Sequence, residues 1–326
     1  MPVDPVLAFY GDLAFYTALV VYLSAMVLHA IEYAAGRGET SAAQPVAVAC
    51  AGGGGLGALT RPAEPPARAP RSRSERAGRV AVLLTGLGAA VQGASLLLRG
   101  LAAGRVPWGN MYEFTSAICL VAVVAWLVVL TRQRSGAPGL RRLGIFVLLP
   151  VVILLFLAGT VLYAEAAPLI PALNSYWIAI HVSAASIASG ILLVAGVASA
   201  LYLVRIRSEA RPPARSRIAA RLPGSTVLDR LAYRTTVVAF PIWTFGVITG
   251  AIWAEAAWGR YWGWDPKETV ALVAWVVYAC YLHARATAGW RGARSAWINI
   301  LGFGVMVFNL FFVNIVIAGL HSYAGL

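Results

Sequence analysis

Acidic side chains are scarce in this sequence: 13 of its 326 positions are Asp or Glu, against 26 Lys or Arg. Charged residues of either sign make up only 12% of the chain and hydrophobic ones 60%, with a mean hydropathy of +0.75. So little charge cannot coat an ordinary soluble domain, and the composition fits a polytopic membrane protein. Cysteine is nearly as rare. Cys50, Cys119 and Cys280 form no CxxC pair, which excludes a thioredoxin-like redox motif, a zinc knuckle and a CxxCH motif. All three read as small apolar residues. The acids within apolar stretches, Asp12, Glu32, Glu113 and Glu255, all fall near stretch ends, which leaves little machinery for ion-coupled transport. No internal repeat of fixed period is present.

What the sequence has is long apolar runs. Eight stretches reach the length of about 20 residues that a bilayer requires: 10–31, 79–98, 113–131, 143–163, 176–204, 235–255, 267–287 and 297–320. The expected fold is an all-α, multi-pass transmembrane bundle. Basic residues sit at alternate connections. Those between stretches one and two, three and four, five and six, and seven and eight carry 22 of the 26, leaving Arg99, Arg105, Arg260 and Lys267 on the other side. The positive-inside rule then places both termini, and the loop around residue 260, on the outer side of the cytoplasmic membrane. The net charge of +13 is on this reading a topology signal, with anionic lipid headgroups rather than nucleic acid as its neighbours. Residues 1–35 read as an uncleaved first span. Residues 36–78, with Gly52–Gly55 and an Arg/Ser run, read as a disordered cytoplasmic linker, and 79–326 as the main transmembrane domain. Residues 205–234 read as a second cytoplasmic loop.

The loop between the sixth and seventh stretches is unusual. Trp253, Trp258, Trp262 and Trp264 fall within twelve residues, interleaved with glycine. Asp265-Pro266-Lys267-Glu268 then carries the signature of a helix start, with an N-cap acid, proline at the first helical position and a capping-box glutamate. An aromatic belt at the membrane interface would spread its tryptophans over many helix ends. Four on one loop make a flat apolar platform suited to a large planar ligand.

The four histidines fall at two levels. His181 and His321 lie near outer ends of spans and bracket the tryptophan loop in sequence; His29 and His283 lie near inner ends. If the fold brings the outer pair together, two imidazoles would face each other across the platform, the arrangement for bis-histidine ligation of a haem iron. A polar helix–helix contact is the plainer account of any one of them, although ionisable residues inside spans usually mark function. His283 lies 18 residues beyond Asp265 on one helix, roughly 27 Å deeper at about 1.5 Å per residue, so it would belong to a second, inner site. Arg260 and Lys267 flank the loop and read either as charge-assisted partners for anionic groups of a ligand or as ordinary interface-anchoring cations. For Asp265 a structural N-cap is expected ahead of proton chemistry, and for Asn110 a helix-capping role.

The run Trp258-Gly259-Arg260-Tyr261-Trp262-Gly263-Trp264-Asp265 resembles the tryptophan-rich "WWD" signature of the haem-handling protein superfamily of cytochrome c assembly. Three further segments, Pro107–Phe114, Leu173–His181 and Asn314–Tyr323, resemble its CcsA/ResC branch. The likeness covers residues 80–326. It implies a subunit of the system II cytochrome c synthase, a membrane haem lyase. Haem b would be presented on the outer face for thioether attachment to the CxxCH of an apocytochrome c. It further implies haem contacts from Trp253, Trp258, Trp262, Trp264 and Asp265, axial ligation by His181 and His321, and an inner haem site at His283. The second inner ligand would come from a ResB/CcsB-like membrane partner, which weakens the case for His29, and a thiol-reducing protein would keep the acceptor reduced. A CcmC-like delivery of haem to a chaperone, a transporter gated by an aromatic loop and a ligand-free assembly subunit are the alternative readings.

Overall fold

The computed structural model describes residues 3–35, 73–132, 138–210, 219–317 and 319–321. Among them the fold is entirely helical: α1 (Pro5–Ala35), α2 (Arg73–Ala103), α3 (Met111–Arg132), the short α4 (Pro138–Arg141), α5 (Gly144–Thr160), α6 (Tyr176–Ala210), α7 (Ser225–Trp258), α8 (Pro266–Ala286) and α9 (Ala293–Ile315), with 3₁₀ turns at Pro171–Leu173 and Ala219–Arg221. Eight of the helical segments are long and apolar enough to cross a membrane. Their outward faces carry Phe9, Leu83, Phe156 and Phe245 in exposed positions, as a bundle solvated by lipid requires.

Most expected spans coincide with helices, and the differences have local causes. Residues 73–78, assigned to the linker from sequence, form the first turns of α2; the rest of that linker and Cys50 lie outside the described residues. The last span ends at Ile315, so His321 occupies a turn beyond the helix rather than its closing residue. Helix α7 begins at Ser225, ten residues before the apolar stretch. Backbone hydrogen bonds carry the helix through Asp229, Arg230 and Arg234 even though those side chains end the hydropathy signal.

Consecutive long helices run antiparallel. Asp4 caps α1, accepting from the N–H groups of Val6 and Leu7, and its own N–H donates to Ala102 O at the far end of α2. This gathers the N-terminus and the connections 104–110, 161–175, 259–265 and 316–321 at one end of the bundle, here called the loop end. Helix α3 packs against α2, α5 and α6, while α6 packs against α3, α7 and α9. One core cluster, around Tyr22, Trp126, Val151 and Leu193, joins α1 to α6, and another, around Trp243, Tyr278 and Met306, joins α6 to α9. Between those two halves, at the loop end, the packing opens into a cavity.

Candidate haem site at the loop end

The cavity is walled by the α2–α3 connection (Trp108, Asn110), by α6 and α7, by the tryptophan loop, and by α8, α9 and the turn after α9. His181 and His321 both line it, so the fold unites two residues 140 positions apart in sequence. His181 lies on α6, and its Nδ1 donates to the carbonyl oxygen of Gly246 on α7 at 2.7 Å. Gly250 makes the approach possible, because a Cβ there would lie 2.7 Å from the imidazole. His321 is held differently: its Nδ1 lies 2.7 Å from Asp265 Oδ1. Metal-bound histidines are usually fixed in this way, with the second ring nitrogen on a backbone carbonyl or a carboxylate. With Nδ1 engaged in both rings, ligation would run through Nε2.

Trp253 ties the two histidines together. Its indole is 1% exposed, lies parallel to the His181 ring with centroids 6.2 Å apart, and is 5.8 Å from the His321 ring. Trp258 packs edge-on against both Trp253 (4.7 Å) and His321 (5.1 Å). Trp262 also lines the cavity. Trp264 does not. It is 70% exposed, meets Trp262 edge-on at 5.8 Å and has a left-handed backbone (φ 56°). The capping box sets that conformation: Glu268 Oε2 accepts from the N–H groups of both flanking residues, Gly263 (2.9 Å) and Asp265 (3.1 Å).

Asp265 is the N-cap of α8, accepting from Lys267 N through Oδ1. It does more than the sequence reading assigned to it. Oδ1 also receives His321, and Oδ2 accepts from Leu320 N at 2.7 Å. Burial works to raise its pKa, but the His321 hydrogen bond and charge, with the two backbone donors, outweigh it and hold the carboxyl below its ordinary value.

The two flanking cations separate. Lys267 lines the cavity, where its Nζ donates to Asn314 Oδ1 at 2.9 Å. Asn314 is oriented in turn by donating to Asn309 O and Leu310 O. Lys267 forms no ion pair among the described residues. Arg260 is exposed and folds its guanidinium over Gly263, outside the cavity wall.

Glu113 lies in the Pro107–Phe114 segment that the sequence singles out, but the partners through which it fixes the α2–α3 wall were not foreseen. Glu113, fully buried, receives Arg105 (2.8 Å), Arg99 (3.4 Å) and the N–H of Gly109 (2.8 Å), and Arg99 continues to Asp12 at 2.8 Å. Asn110 caps α3 through Glu113 N, as expected. Two of the four cations assigned to this side are therefore bound to acids and hold Trp108 and Asn110 in place. Residue spacing gives no hint of the Arg99–Asp12 pair. Gly246 and Gly250, one turn apart on α7, were the available signal for a close approach to His181.

The other two histidines are not brought together. His283 is exposed on the side of α8, one turn after exposed Cys280. His29 is fully buried, edge-on to Trp126 at 5.3 Å, 3.9 Å from Glu32 Oε2, and pressed against Gly144, where a Cβ would be 2.5 Å away. Glu32 pairs with Arg141. No cluster of three His, Cys, Asp or Glu able to hold a metal occurs among the described residues.

Comparison with known proteins agrees with this architecture. The family described as Cytochrome C assembly protein matches residues 108–321. The chain is 36% identical over 262 residues to the cytochrome c biogenesis protein CcsA of Parasynechococcus marenigrum (strain WH8102), covering 74% of this chain and 85% of that protein. It is 43% identical over 176 residues to CcsA of Guillardia theta, covering 50% of this chain and 58% of that one. Among solved structures, the cytochrome c haem lyase CcmF superposes with a TM-score of 0.59 over 95% of this chain and 47% of its own length, at 17% identity, a likeness of fold. The matched span runs from the cavity residue Trp108 to the cavity residue His321, and the chain belongs to the CcsA family of cytochrome c biogenesis proteins.

Proposed function

We propose that this protein presents haem b at the loop-end cavity, on the outer face of the cytoplasmic membrane, for covalent attachment to the CxxCH of an apocytochrome c. It would act as the haem-handling subunit of a system II synthase. One observation carries this reading: two imidazoles line one aromatic cavity, each with Nδ1 committed to an acceptor and each within 6.2 Å of the same indole. Haem is planar, apolar on its faces, anionic at its propionates, and takes two axial nitrogens. Trp253, Trp258 and Trp262 supply apolar surface, His181 and His321 the nitrogens, and Lys267 a cation inside the wall.

The reaction requires no net oxidation. Each acceptor thiol adds across a haem vinyl group; sulfur bonds to the carbon next to the ring and the proton ends on the terminal carbon. The protein's contribution is positioning. His181 and Trp253 fix the plane of the substrate, Lys267 orients its propionate edge through a charge-assisted contact, and the opposite edge faces the acceptor. The acceptor thiols must arrive reduced, which calls for a thiol-reducing protein. His283, exposed on the flank of α8, suits a second haem site only if another chain supplies the opposite ligand, the role assigned to a ResB/CcsB-like membrane subunit.

The test is the visible spectrum of the complex purified with that subunit and supplied with haem, together with haem transfer to a CxxCH peptide. The expected result is a low-spin bis-histidine spectrum and thioether product, both lost in the His181→Ala/His321→Ala double variant. A spectrum and product yield unchanged in that variant would overturn the assignment.

A further inference from the structure

The two cavity histidines are mounted in unequal ways. His181 belongs to the body of α6. Its Nδ1 bonds a main-chain carbonyl in the middle of α7, its ring lies parallel to buried Trp253, and Gly250 leaves no slack beside it. Moving this ring means separating α6 from α7. His321 instead sits on a turn beyond the end of α9; its ring also packs on Trp253 and Trp258, but its backbone belongs to no helix. Asp265 grips that turn at two successive points, with Oδ1 on His321 Nδ1 and Oδ2 on Leu320 N, both at 2.7 Å. Gly319 permits the grip, since a Cβ there would fall 2.7 Å from Asp265 Oδ2 and 3.3 Å from Pro266 Cδ. The carboxylate is itself anchored as the cap of α8. A ligand carried on a short non-helical segment is displaced with less disruption than one built into a helix pair.

We propose that His321 is the exchangeable axial ligand, yielding to the histidine of the incoming CxxCH while His181 stays on the iron, and that Asp265 is the positioning residue that sets how readily His321 yields. This inference rests on the haem-presenting reading and deepens it. Asp265 makes no contact with the reacting atoms. It acts through His321, as partners behind a metal-bound imidazole do, and their loss typically changes ligand strength by about 10- to 100-fold. The exchange is a substitution of one imidazole nitrogen for another, so it needs no oxidant or proton source.

The first test uses a peptide of sequence Ala-x-x-Ala-His, which offers the acceptor's histidine without thiols. Added to haem-loaded complex, it is expected to restore a low-spin spectrum in His321→Gly and not in His181→Gly. Rescue of His181→Gly alone, of both equally, or of neither would overturn the assignment. The second test follows displacement of the axial ligand of ferric haem by cyanide. Asp265→Asn, which keeps an N-cap oxygen, and Gly319→Ala, which crowds the carboxylate, are each expected to speed it by about 10- to 100-fold. Asp265→Asn should have no effect in His321→Gly loaded with free imidazole. An acceleration that persists in that background belongs to general loosening of α8 and contradicts the positioning role, as does no acceleration in either variant. A wild-type complex that takes up no haem would instead sink the underlying reading, a result distinct from all of these.

Discussion

The rings of His181 and Trp253 lie parallel, with 4° between their planes and 6.2 Å between centroids. A side chain from α6 and one from α7 are thereby set in a common orientation, and the indole is buried. The plane of a ligand bound through His181 would be fixed by helix packing rather than by a loop.

Trp253→Ala is expected to cost about 3–5 kcal/mol of stability, as for other buried Trp truncations, and to weaken haem retention. Trp253→Phe should keep most of both. Thermal unfolding and the haem-to-protein ratio of purified complex would check this.

Gly250→Ala separates ligand geometry from folding. Alanine is favoured over glycine inside a helix by roughly 0.5–1 kcal/mol, so α7 itself should not suffer. The new Cβ would meet the His181 ring at 2.7 Å and push it from its seat. The expected outcome is a folded protein whose haem spectrum turns from low-spin toward high-spin.

The two cations of the loop should behave differently. Lys267→Met is expected to lower haem affinity about tenfold or more, as loss of a charge-assisted partner does, whereas Arg260→Ala should stay near wild type because its guanidinium lies outside the cavity wall. Haem titration of both variants decides it, and equal losses would contradict the placement.

Glu113→Gln removes the acid that Arg99 and Arg105 share. Stripping one partner from a buried ion network costs about 3–5 kcal/mol. The α2–α3 wall should loosen with it, seen as a lower melting temperature and faster amide exchange at residues 105–110, with the distal end of the bundle unaffected.

Much of this arrangement was legible in the sequence, and what was not has a common cause. Hydropathy runs place eight helices because lipid solvates apolar side chains continuously along a span, and Asp265-Pro266-Lys267-Glu268 announces its cap because capping is local. Alternating charge places His181 and His321 on one side of the bundle, but their meeting in one cavity depends on how α6, α7 and the turn after α9 pack, which charge does not encode. The left-handed backbone and exposure of Trp264 were not legible, since they depend on Glu268 taking two N–H groups around one residue. Nor was the distinction between Lys267 and Arg260, two cations equally close to the loop in sequence, because it rests on Asn314 from another helix. Arg99 and Asp12 lie 87 residues apart, and no local pattern couples them.

The most direct measurement is an experimental structure of the haem-loaded complex, read at the iron. The account predicts one haem in the loop-end cavity with Nε2 of His181 and Nε2 of His321 on opposite faces of its iron, and Lys267 at a propionate. Haem bound with neither histidine on the iron, or held only at His283, would contradict it.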